Sequence, residues 1–169
     1  QAHPEATDKQ RVDGLRGQLQ ALSHLSAMGD LAAAKALESL AKENLTSGEP
    51  SIAGDSRIVL IGFAIDALQA GRESAADQIV TLIQGMTASD TPDVPAVLMM
   101  GEARQSLANY GMIDHAAKVR EKILELYGNS SDAMIAQVAA DAAGTAKFGP
   151  ASRLLAAILE DEKVALSRW

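Results

Sequence analysis

The chain has 169 residues, of which 47% are hydrophobic but only 3% aromatic, so we expect a packed core of Ala, Leu, Ile, Val and Met. The net charge of −7 disfavours nucleic acid and anionic membrane surfaces as partners, because charges of like sign repel. The chain has no cysteine, which excludes disulfides, thiolate catalysis and cysteine-ligated zinc within these residues.

Apolar residues recur at spacings of three and four along the chain, which predicts helices rather than strands. The third helical segment is unusual because it is apolar nearly all round. Its longest apolar run, from Ile58 to Ile65, is too short to span a bilayer, which needs about 20 residues. In chain order, eight helices are predicted at about 5–28, 31–45, 56–70, 73–88, 95–109, 113–127, 131–147 and 151–166.

Four glycines, at intervals of about 40 residues, stand between consecutive helical patterns. Glycine just after a helix favours a left-handed turn that ends it, and a short turn makes the next helix antiparallel. The four are Gly29, Gly71, Gly111 and Gly149. They predict four helix hairpins in one all-α domain, at about 5–45, 55–88, 94–128 and 131–166.

The predicted helix boundaries have the residue types that helix ends prefer. We expect Asp30 to cap the second helix, Asp55 or Ser56 the third, and Ser130 or Ser131 the seventh. Pro95 and Pro150 fit first-turn positions. Residues 46–54 are predicted to form a loop between hairpins.

The third hairpin resembles a tetratricopeptide repeat (TPR). Ala103 stands where the first helix of that repeat needs a small residue, Gly111 stands at the turn, and Ala116 stands where the two helices touch. The end of the hairpin, residues 122–130, is also similar to the usual ending of the family. The resemblance implies a right-handed α-solenoid that binds protein or peptide partners.

The sequence departs from the TPR pattern at several positions. Gly128 stands in place of the proline of the family, and Arg104 in place of a glycine. Because the intervals near 40 exceed those of TPRs, HEAT-type repeats remain an alternative. Residues 55–83 also resemble helical segments that precede the thioredoxin-like domain of bacterial envelope thiol–disulfide proteins. This second resemblance implies an extracytoplasmic or periplasmic location.

The TPR resemblance implies a peptide-binding face on the first helix of each pair. Mapped onto this chain, that face consists of Ile58, Ile61, Ile65, Leu68 and Gln69 in the third helix. In the fifth helix we expect the polar and aromatic side chains of Arg104, Gln105, Asn109 and Tyr110 to contact a partner. The alternative for the third helix is that it is simply the most buried helix.

Nothing in the sequence predicts catalysis. His3, His24 and His115 have no partner at metal-ligand spacing, and the acidic residues are scattered as on solvated helix faces. We therefore expect no metal, no cofactor and no enzymatic activity.

Three functions are compatible with these features. The first is a non-catalytic interaction module, the second an accessory domain of an envelope thiol–disulfide protein, and the third a carrier of a small apolar ligand. The start at Gln1 predicts that the chain is a fragment of a longer protein. We also hypothesise that a terminal helix mediates homodimerisation, because the ends of a solenoid leave apolar faces open.

Overall fold

The computed structural model describes residues 7–87 and 94–145. Within these ranges the chain is all helical and has no strand, which confirms the predicted fold class. The helices of these ranges are α1 (Asp8–Ala27), α2 (Leu31–Asn44), α3 (Pro50–Gln69), α4 (Ala75–Gln84), α5 (Val94–Asn109), α6 (Ile113–Tyr127) and α7 (Ala133–Ala142). The predicted eighth helix lies outside the described residues, as does Pro150.

The helices α1, α3, α5 and α7 end with the same turn. A glycine takes positive φ, and the next N–H donates to the carbonyl oxygen five residues earlier, which is the Schellman arrangement. After α1, Gly29 has a φ of 91° and the Asp30 N–H donates to the Leu25 oxygen at 3.1 Å. The other glycines of this kind are Gly71, Gly111 and Gly144. The turns at the first three glycines are therefore where the sequence predicted them.

The predicted end of the seventh helix is wrong. α7 stops at Ala142, and Gly144 takes the left-handed conformation with a φ of 69°. The Thr145 N–H donates to the Ala140 oxygen at 2.8 Å and completes the turn. Gly149, which was predicted to end this helix, lies outside the described residues.

Among the helix starts that the structure describes, those of α1, α2 and α7 have a side-chain cap. Thr7 and Gln10 form a capping box at α1. The Asp30 carboxylate accepts from the N–H groups of Ala32 and Ala33 at α2, as predicted. At α7 the predicted caps Ser130 and Ser131 are wrong, because Asp132 is the capping residue.

The start of α3 also differs from the prediction. The helix begins at Pro50, so residues 50–54 of the predicted 46–54 loop are helical, and neither Asp55 nor Ser56 caps the helix. Pro50 occupies the first helical position, where its missing N–H costs nothing. Ile52 and Ala53 are 1% and 5% exposed, and burial of their apolar side chains outweighs the weak helix propensity of the neighbouring Gly54.

The helices pack in consecutive pairs, α1 with α2, α3 with α4, and α5 with α6. The first helices of the pairs also lie side by side, α1 on α3, α3 on α5, and α5 on α7. Among the described helices, α1 contacts nothing beyond α3, and α3 nothing beyond α5. One continuous apolar core runs through these contacts, from Leu19 in α1 to Ala143 after α7.

Candidate functional site

An open groove runs along α1, α3 and α5. It has two adjoining sections, with volumes of about 610 and 380 Å³. Ser23 of α1 and Ile58 and Val59 of α3 line both sections, so the two are continuous.

The larger section is polar at its outer end. Asp13, Arg16 and Gln20 of α1 line it together with Asp55 of α3. The Arg16 Nε donates to the Asp55 Oδ2 at 2.7 Å, which ties α1 to α3 across the groove. Gly17 also lines this section, and a Cβ added to it would meet nothing within 4 Å.

The smaller section is apolar. Its lining includes half-buried Phe63 and Met99, and Leu37 of α2, which is 4% exposed, lies at its base. Gly62 lies between these side chains, and its missing Cβ would be 4.0 Å from the Met99 Cε. Asp66 and Ser26 supply polar groups at this section.

The three groove helices run in the same direction. On α1 the lining passes from Asp13 in the polar section to Ala27 in the apolar section, and on α3 from Asp55 to Asp66. On α5, Pro95 lines the first section and Met99 the second. At a rise of about 1.5 Å per residue, the lining is about 16 Å long on α3, from Asp55 to Asp66, and about 21 Å long on α1, from Asp13 to Ala27.

The composition of α3 explains why the groove is apolar. One stripe of this helix, Ile61, Ile65 and Leu68, is at most 2% exposed and belongs to the core. Not all the other apolar side chains of α3 fit into the core, and half-buried Ile58 and Phe63 line the groove.

The two predicted site residues of α3 are buried. Ile61 is 0% exposed and Ile65 is 2% exposed, and both pack in the central core. The helix has both predicted properties, since one stripe is deeply buried and the adjacent one is accessible. The stripe that contains Ile61 and Ile65 is the buried one.

The four predicted site residues, three at the end of α5 and Tyr110 just after it, make polar contacts with their surroundings. The Arg104 Nε donates to the Ala142 oxygen at 2.6 Å, and the Gln105 Nε2 donates to the Asn109 Oδ1 at 2.8 Å. The Tyr110 hydroxyl donates to the Gln69 oxygen at the end of α3 at 3.2 Å, while its side chain stays 47% exposed. None of these residues lines the groove.

The groove residues of α1, and Val59 and Phe63 of α3, were missed by sequence reasoning. Ile58 was among the positions mapped from the TPR resemblance, and it lines the groove. A signal for the missed residues of α3 exists, because a helix that is apolar all round leaves some apolar side chains outside the core. The sequence does not fix where the buried arc ends, since Ile58 has the helical spacing of Ile61 and Ile65 but is only half-buried.

The described ranges contain no group of three His, Asp or Glu side chains that could hold a metal ion. His115 lies on α6, and its Nε2 is 3.0 Å from an oxygen of Asp77 on α4. In the part of the chain that the structure describes, no helix is long and apolar enough to cross a membrane.

Comparison with known proteins gives no further guide. No family model matches the chain, and no curated protein or solved structure is significantly similar to it.

Proposed function

We propose that this chain is a non-catalytic interaction module, built from TPR-like helix hairpins in a right-handed α-solenoid, that binds a helical segment of a partner protein. The binding site is the groove along α1, α3 and α5. Two observations support the repeat architecture. Among the described helices, each pair contacts only the neighbouring pairs, and the same glycine turn recurs after α1, α3, α5 and α7.

The observation that carries the proposal is the apolar middle of the groove. Ile58, Val59 and Phe63 have no side-chain group that could hydrogen-bond to an extended peptide, and Met99 offers only a weak thioether acceptor. The backbone of the groove helices is already hydrogen-bonded within each helix. An extended peptide would therefore bury unpaired backbone groups here, whereas an α-helix satisfies its own.

Two glycines of α1 supply a matched test. Gly14 and Gly17 are three residues apart, and a Cβ at either would meet nothing within 4 Å. Only Gly17 lines the groove. Gly17→Leu therefore adds a side chain at the groove with no contact at its Cβ, and Gly14→Leu adds the same side chain outside the groove lining.

The probe is a fluorescent amphipathic helical peptide of about 15 residues, with Leu at i, i+3, i+4 and i+7 and Gln elsewhere. We expect Gly17→Leu to weaken binding about tenfold or more in anisotropy titrations, since each 1.4 kcal/mol is a factor of ten. Gly14→Leu should bind as the original chain does. Equal binding by both variants, or no binding by the original chain, would rule out the groove as the site.

The other two functions, an accessory domain of an envelope thiol–disulfide protein and a carrier of a small apolar ligand, stay predictions. Homodimerisation through a terminal helix also stays a prediction.

A further inference from the structure

The charges that line the groove are acidic at both of its ends. Arg16 and Asp55 neutralise each other at the polar end, which leaves the carboxylate of Asp13 there. Asp66 lies at the far end of the apolar section. Both Asp13 and Asp66 are exposed. Among the described lining residues, about one negative charge that no lining cation neutralises therefore lies at each end of the groove, and the side chains between the two ends are mainly apolar.

The length of the groove matches a whole number of helical turns. Arg16 contacts Asp55, and Asp13 lies three residues before Arg16, so Asp13 lies about 4.5 Å beyond the level of Asp55. The distance along the groove from Asp13 to Asp66 is then about 21 Å, which corresponds to about fourteen residues of a bound helix, close to four turns. Two residues fourteen positions apart on that helix lie within about 40° of each other around its axis, close to the apolar stripe between them. One face of a bound helix can therefore contact both acidic ends of the groove and the apolar side chains between them.

We propose that the partner of the groove is an amphipathic helix with a basic residue at each end of an apolar stripe about four turns long. This inference rests on the proposed function and specifies the chemistry of its partner. One basic residue pairs with Asp13, the other with Asp66, and the apolar side chains between them cover Ile58, Phe63 and Met99. The basic residues of the partner and the two exposed carboxylates of the groove have opposite charges and attract each other. This attraction favours fast and selective association.

Three peptides test the proposal, all built on one helical sequence with the same Leu stripe. They carry Lys, Gln or Glu at two positions fourteen residues apart that flank the stripe. Because exposed ion pairs contribute modestly, we expect the Lys peptide to bind about three- to tenfold more tightly than the Gln peptide in low salt. The Glu peptide should bind more weakly than the Gln peptide. In 1 M salt, where the Debye length is about 3 Å, the difference should largely vanish.

Variants of the protein test which carboxylates cause the preference for the Lys peptide. In Asp13→Asn/Asp66→Asn, the Lys and Gln peptides should bind with equal affinity. The control Glu43→Gln/Glu121→Gln changes the net charge by the same amount at exposed positions of α2 and α6, outside the groove lining. The control should keep the advantage of Lys.

The outcomes separate this inference from the proposed function. Binding of the Gln peptide with no gain from Lys, or a gain that survives the double Asp variant, overturns the basic-ended partner and leaves the groove intact as a helix site. Failure of all three peptides to bind overturns both. A gain that disappears only in the double Asp variant supports both.

Discussion

The guanidinium of Arg104 on α5 holds the end of α7, because its Nε donates to the Ala142 carbonyl oxygen at 2.6 Å. That carbonyl belongs to the last turn of α7, where no further N–H within the helix is available to it. The guanidinium also lies 3.5 Å from where a Cβ of Gly144 would be. A side chain that the TPR resemblance assigned to partner binding therefore contacts the turn that ends α7.

We expect Arg104→Met to destabilise the protein by about 1–2 kcal/mol, because it removes a charged donor and leaves a helix-end carbonyl unpaired. Met retains the apolar stem of the side chain. Urea unfolding measures the loss, and hydrogen exchange should speed up most in α7. Arg120→Met, at an exposed position of α6, is the control. Equal stability of the two variants would show that the contact with Ala142 contributes nothing.

A second close contact joins α5 to α7 at Gly101. A Cβ there would lie 2.9 Å from the Ala142 Cβ and 3.2 Å from its Cα, so the helices would have to separate. We expect Gly101→Ala to destabilise the protein by about 1–2 kcal/mol despite the better helix propensity of Ala. Thermal unfolding provides the measurement.

Gly62 on α3 is the matched control for Gly101. Its added Cβ would meet only the Met99 Cε, at an ordinary contact distance of 4.0 Å. Gly62→Ala should therefore stabilise the protein by up to about 1 kcal/mol through helix propensity. A stabilised Gly101→Ala would contradict the close approach of α5 and α7.

Ser56 of α3 is 0% exposed, and its hydroxyl has no hydrogen-bond partner in the part of the chain that the structure describes. We expect Ser56→Ala to stabilise the protein by about 1 kcal/mol or more, because it removes a buried unpaired polar group. Ser39→Ala, exposed in the middle of α2, shows the gain from helix propensity alone. In chemical denaturation, a gain at Ser56 no larger than that at Ser39 would mean that the hydroxyl is satisfied.

The carboxylate of Asp30 accepts hydrogen bonds from two N–H groups at the start of α2, at 2.9 and 3.0 Å. We expect Asp30→Ala to cost about 1 kcal/mol of stability, and Asp30→Ser to restore most of it, since Ser also caps well. The midpoints of urea unfolding measure the stabilities of the two variants. Equal losses for Ala and Ser would argue against a capping role.

The helical class and three of the four glycine turns could be predicted because their signals are local. Apolar residues spaced three and four apart indicate a helix without any tertiary information, and Gly29 stands two residues after the end of α1. The start of α3 could not be predicted in this way. Residues 46–54 contain Gly48, Pro50 and Gly54, which are typical of a loop, yet burial of Ile52 extends the helix to Pro50.

The groove could be predicted only in part. The TPR resemblance pointed to the first helix of each pair, and α1, α3 and α5 do line the groove. The register within α3 was beyond sequence reasoning, because it depends on which stripe packs against α4 and α5. The contacts of Arg104 and Tyr110 join residues 38 and 41 positions apart, and such pairs leave no local pattern.

Methyl NMR of the protein during titration with the Gln-type amphipathic peptide tests the central claim most directly. The native probes are Ile58, Val59 and Met99 in the groove, with Ile79 and Ile123 in the core as references. Our account predicts that the groove methyls shift most and saturate together, while the references move little. Shifts concentrated on the exposed methyls of Ile113 or Met134, or no shift at saturating peptide, would contradict it.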